Sequence, residues 1–83
     1  LRLAFPPDGA RIDLAASGGD GAPELNLKVA GGVAPFTWLV DGRPVGDPVR
    51  RRETAWQPPG RGFVRISVID GRGASESVSV RLQ

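Results

Sequence analysis

Pro35-Phe36-Thr37-Trp38-Leu39-Val40-Asp41-Gly42-Arg43-Pro44 is the stretch that decides the fold. Side chains of a β-strand point to alternate faces, so Phe36, Trp38 and Val40 share one side and offer more area for burial than any other three alternate residues here. The Asp41-Gly42 step that follows is a hairpin signal. A two-residue primed turn needs positive φ at positions where Gly costs nothing and Asp little. The stretch predicts a central strand that folds back on itself.

On its N-terminal side, Glu24 to Ala30 shows the clearest two-residue period: Leu25, Leu27 and Val29 on one face, Glu24, Asn26 and Lys28 on the other. Gly31-Gly32-Val33-Ala34 links it to the Trp38 strand. Ala15 to Pro23 is rich in Gly, Ala, Ser and Asp without periodicity, and reads as a loop, mobile at Ser17 to Gly21. Before it, Leu1, Leu3 and Phe5 alternate with Arg2 and Ala4 until Pro6-Pro7 ends the ladder by removing donors. After the Asp8-Gly9 turn the alternation resumes with Ile12 and Leu14 inward, so residues 1–14 read as one edge strand broken by a proline kink.

On the C-terminal side, Arg43 to Val45 has room only for a brief pairing, because Pro44, Gly46 and Pro48 limit a ladder. Thr54-Ala55-Trp56 is a short strand stopped by Pro58-Pro59-Gly60. Phe63 to Asp70 and Ala74 to Leu82 form the last two strands, joined at Asp70-Gly71-Arg72-Gly73. Val64, Ile66 and Val68 face inward on the first, and Val78, Val80 and Leu82 on the second, with Ser75, Ser77, Ser79 and Arg81 outward. About seven short strands with turn signals every 8 to 12 residues predict an all-β fold, a small antiparallel Ig-like β-sandwich.

The 83 residues make one domain, of a size that hides only roughly 60 to 65% of its unfolded surface. With no Cys or His, thiolate and imidazole metal sites are excluded, and a hydrophobic core must supply the stability. Eleven basic residues, ten of them Arg, against nine acidic ones give +2. That balance is too mild to signal nucleic acid, which calls for a concentrated basic face with aromatics interleaved. No run reaches the ~18 to 20 apolar residues that span a bilayer, and no signal segment opens the chain. Leu1 enters an alternating stretch directly, without an initiator Met, so the expectation is a piece of a larger protein with any targeting segment elsewhere in it.

Catalysis finds little support in the residues. Five of the six Asp (8, 20, 41, 47, 70) adjoin Gly or Pro in turns, where a carboxylate usually bonds nearby amides. No oxygen ligands converge at calcium-site spacing, and no base accompanies the serines. No metal and no cofactor is implied. The binding candidates are Trp56 and the run Arg50, Arg51, Arg52. Trp56 reads as a strand-end residue capping the core, or alternatively as a semi-exposed contact surface. The arginine run reads as a solvated loop, or as a grip for an anionic lipid head group, wall polymer or acidic protein face. Trp56 lies four residues from Arg52, which allows one surface to hold both. Trp38 reads as a core residue packed between the sheets, with a sugar-stacking platform as the alternative.

Four stretches, in this order and spacing, resemble a known family: Phe5-Pro6-Pro7-Asp8-Gly9-Ala10-Arg11-Ile12, the Phe36 to Val45 segment, Trp56-Gln57-Pro58, and Gly62 to Gly73. Together they closely resemble the C-terminal domain of bifunctional penicillin-binding proteins of the 1C class, from Leu3 to Leu82. The resemblance implies a periplasmic location and a parent, anchored in the inner membrane, that polymerises and cross-links peptidoglycan through separate glycosyltransferase and transpeptidase domains. The transpeptidase signature of that family begins with Ser-x-x-Lys. Lys28, the one lysine, has Leu25 at the serine position, so no catalytic residue carries over. The expectation is a non-catalytic accessory or interaction domain, with docking or regulation as its work. Its partners would be a periplasmic protein or other domains of the same synthase, and the membrane would be met only through the parent. Direct binding of peptidoglycan or another carbohydrate is the alternative.

Overall fold

Strands β1 (Arg2–Phe5), β3 (Leu25–Ala30) and β6 (Glu53–Trp56) pair in the order β1-β3-β6 to form one layer of the computed structural model. The second layer holds β2 (Arg11–Ile12), β4 (Thr37–Val40), β5 (Arg43–Pro44), β7 (Gly62–Ile69) and β8 (Ser75–Leu82), ordered β2-β8-β7-β4-β5. The structure describes residues 1–14 and 24–83. The loop expected at Ala15 to Pro23 lies outside the described residues.

The core sits between the layers. Leu25, Leu27 and Val29 face it from β3, while Trp38, Ile66, Val68, Val78, Val80 and Leu82 face it from the second sheet. Trp38 is 2% exposed and Phe36 is fully buried, so the expected strand is there with its indole between the two sheets, although β4 lies beside β7, the middle strand of the sheet, rather than at the centre itself. No protein group among the described residues accepts a hydrogen bond from its Nε1. Beyond Val40 the chain reverses through Asp41 (φ 51) and Gly42 (φ 82) into β5, as a primed turn requires. Asp41 also joins the turn to β7: its amide donates to the Arg65 carbonyl at 2.8 Å, and its Oδ1 accepts from the Arg65 amide at 3.0 Å.

Two details depart from the sequence reading, both near the N-terminus. Residues 1–14 are not one kinked edge strand. The segment at Pro6-Pro7 carries the chain from one sheet to the other, so that β1 pairs antiparallel with β3, while β2 pairs parallel with β8. Phe5 also does not continue the inward set of Leu3. The β1–β3 register slips between Leu3, opposite Val29, and Phe5, opposite Lys28. One extra residue turns the next side chain to the other face, leaving Phe5 38% exposed while Pro6 fills the interior position.

Candidate functional site

Several of the described carboxylates are taken up by the fold. Asp70, at the end of β7, accepts from the Arg72 and Ala74 amides through Oδ1 at 2.9 and 3.0 Å, and from the Val33 amide through Oδ2 at 3.2 Å. Burial pushes its carboxyl up, but those amide hydrogen bonds outweigh the effect and hold it below its ordinary value. The neighbouring Gly71 amide donates to the Val33 carbonyl at 2.6 Å, so the β3–β4 and β7–β8 loops are tied together. Asp8 caps the Ser79 amide at 2.9 Å and Glu76 takes the Leu3 amide at 3.1 Å. Glu53 pairs with Lys28 at 3.7 Å. Each of these oxygens is aimed at the protein's own backbone or strand partner rather than into a cleft where two carboxylates could share a proton.

Trp56 is 8% exposed and stands opposite Leu25 at the far end of β6. Its remaining edge borders a depression shared with Val40, Arg43, Val45 and Pro59. The position is that of a strand-end residue closing the core, and neither face of the indole lies open. Arg52 precedes β6 at its other end, where its Nη1 donates to the Gly31 carbonyl and its Nη2 to that of Gly32 at 3.5 Å. Its guanidinium covers the buried Phe36 ring, 5.2 Å from the centroid. Arg50 and Arg51 are exposed and meet no carboxylate among the described residues. Four residues of extended chain span roughly 13 Å. The fold therefore sets Trp56 and Arg52 at opposite ends of a strand, not on a common patch.

A second cluster was not singled out in the sequence. Phe63, on the outer face of β7, is 75% exposed, the largest exposure of any bulky apolar side chain described. It stands directly opposite Arg81 of β8, whose guanidinium lies 5.5 Å from the ring centroid. Arg81 in turn pairs across to Arg11 of β2, so that Arg11, Arg81 and Phe63 form one row across three strands. Shallow depressions of about 400 and 420 Å³ flank the row: Asp8, Gly9, Arg11 and Ser79 border the first, Arg61, Gly62 and Gln83 the second. The signal was present in the alternation itself. Once Val64, Ile66 and Val68 are inward, Phe63 must point outward.

Solved fibronectin(III)-like modules of CbhA from Clostridium thermocellum have a similar structure, with a TM-score of 0.62 at 23% identity over 99% of this chain and 92% of that one. At that identity the likeness speaks for the fold alone. No curated protein matches the chain. The sequence model of the Penicillin-Binding Protein C-terminus Family, by contrast, matches residues 1–82, and with nearly the whole chain covered, the protein belongs to that family.

Proposed function

We propose that this chain is a non-catalytic interaction module of a cell-wall synthase, facing the periplasm and acting by docking or regulation. The observation that carries the reading is the division of labour among its side chains. Asp8, Asp41, Asp70 and Glu76 serve backbone amides, while an aromatic and arginines stand free on one sheet face. General acid–base work needs a carboxylate or imidazole within reach of a reacting proton, and these carboxylates are aimed elsewhere. Aromatic and arginine side chains on an open face are the composition of a protein contact. The alternative, glycan binding through Trp56 and Arg50 to Arg52, has weaker support, since Trp56 is buried and Arg52 is spent on Gly31, Gly32 and Phe36. Deleting the module from the full-length synthase tests the reading. Turnover of lipid-linked substrate by the purified enzyme persists while a partner or the localisation is lost. Abolished turnover refutes it.

A further inference from the structure

We propose that the outer face around Phe63 and Arg81 is a docking surface for an acidic polypeptide, seating a carboxylate beside an apolar side chain. The inference rests on the interaction-module reading and adds the surface and the chemistry of its partner.

Three observations carry it. The first is exposure without structural reason. Burying a Phe side chain is worth about 1.5–3 kcal/mol, yet Phe63 is left 75% exposed on the outer face near the start of β7. The second is charge. Arg11, Arg61 and Arg81 border the depressions and Arg65 lies two residues along β7, while Asp8 is the one carboxylate on the rim. Over the rim alone, three arginines less one aspartate leave a local +2, as much as the net charge of the whole chain. None of the four arginines forms a salt bridge among the described residues, and Asp8 already holds the Ser79 amide. The third is preorganisation. A guanidinium stacked on a ring keeps its in-plane N–H donors free, and those donors match a carboxylate in bidentate fashion.

The chemistry selects the occupant. A glycan needs acceptors as well as donors around its hydroxyls, and on this rim the three arginines outweigh Ser79, Gln83 and an Asp8 already bonded to the Ser79 amide, which favours an anionic partner over a neutral one. A lipid surface takes several apolar side chains inserted together, and here one phenylalanine stands alone between two hollows. A protein segment with alternating acidic and apolar residues meets both demands: its carboxylate on Arg81 or Arg11, its apolar side chains in the depressions on either side of Phe63.

The test is a titration of the isotope-labelled chain with a short peptide alternating Glu with Leu and Phe, followed by amide chemical shifts. Shifts confined to residues 9–11, 61–65 and 79–83 are expected. Phe63→Ala and Arg81→Glu should each weaken binding by about tenfold or more, and Arg50→Glu by less than about twofold. Phe63→Ala touches no core contact, so its folding is not in question. A peptide with Lys for Glu should not bind. No shift at about 1 mM peptide, shifts centred on Arg50 to Arg52, or affinity unchanged by both variants overturns the proposal. So does variant-sensitive pelleting with purified sacculi, or binding to phosphatidylglycerol vesicles, of a chain that ignores the peptide. In the full-length synthase, Phe63→Ala with Arg81→Glu should reproduce the loss of partner or localisation seen on deleting the module. If only the deletion shows that loss, this surface is wrong and the interaction-module reading stands. If the deletion stops turnover, the broader reading itself falls.

Discussion

Replacing Gly71 with alanine tests how the two loops at one end of the sandwich are held together. An ideal Cβ at Gly71 would lie 2.6 Å from the Ala34 carbonyl oxygen, 3.0 Å from its carbon and 3.1 Å from Pro35 Cδ. The obstacle is mostly backbone and a ring, so no flexible side chain can swing away. Restoring ordinary contact needs a displacement of more than half an ångström between the loops. The same displacement stretches the 2.6 Å bond from the Gly71 amide to the Val33 carbonyl, and with it the bond from the Val33 amide to Asp70.

Overpacking of this kind costs about 1–3 kcal/mol, and each weakened hydrogen bond adds up to about 1 kcal/mol. A total of about 2–4 kcal/mol is a large share of the stability of an 83-residue domain, roughly 4–12 kcal/mol. Urea unfolding followed by tryptophan fluorescence reads it directly. Gly60→Ala is the matched control: a Cβ there meets nothing within 4 Å and the backbone is in an ordinary conformation. That substitution should be neutral or stabilise by up to about 1 kcal/mol, through the unfolded chain. If Gly71→Ala lies within about 0.5 kcal/mol of the parent, the loop contact is not the constraint described and the reasoning fails.

Acid titration should single out Asp70. Its carboxyl is held below the ordinary 3.8, so its contribution is fully present above that pH and drains away as pH falls through the lower folded value. Asp70→Asn should therefore flatten the acid limb of stability against pH, and an unchanged limb in urea melts counts against the amide cradle. Arg52→Ala should cost about 1–2 kcal/mol through the lost ring and carbonyl contacts, while Arg50→Ala and Arg51→Ala stay within about 0.5 kcal/mol. Equal effects across the run would contradict the distinct placement of Arg52. Leu27→Ala, at a fully buried site, should cost about 2–5 kcal/mol in the same melts. Both tryptophans should resist acrylamide quenching, since Trp38 and Trp56 are 2% and 8% exposed. Ready quenching of one of them in a Trp38→Phe or Trp56→Phe background would show which placement is wrong.

Much of this architecture was legible because the decisive signals are local. Period-two alternation settled which faces of β3, β7 and β8 are buried, and Asp41-Gly42 marked its turn, since both depend on neighbouring residues alone. The sheet assignment of β1 and β2 was not legible. A proline pair interrupts a strand whether the chain rejoins the same sheet or crosses to the other, and only packing against β8 decides between them. Phe5 misled for a related reason: a register slip changes the parity of every later side chain and leaves no mark in a four-residue strand. At the candidate sites, a triple Arg and a Trp stand out in a sequence, whereas the row of Arg11, Arg81 and Phe63 is assembled from positions up to 70 residues apart. Its members become neighbours only through strand pairing.

The same pairing bears on how a partner can approach. A second chain can add to a sandwich along an exposed strand edge or lie across a sheet face. The edges here are poor templates. Strands β2 and β5 are two residues long, and β5 contains Pro44. Strand β1 carries the register slip and runs into two prolines. Strand β6 has four residues between an arginine run and Pro58-Pro59. Short strands, irregular register, charge and proline all oppose strand addition. The β7–β8 pair is different: its eight-residue partners hold each other along their whole length, with β4 beside Ile66 to Ile69 of β7 and β2 beside Arg81 and Leu82 of β8. A partner that lies across this face meets its outward side chains. Phe63 and Arg81 are the side chains on that face that combine apolar area with an unpaired charge.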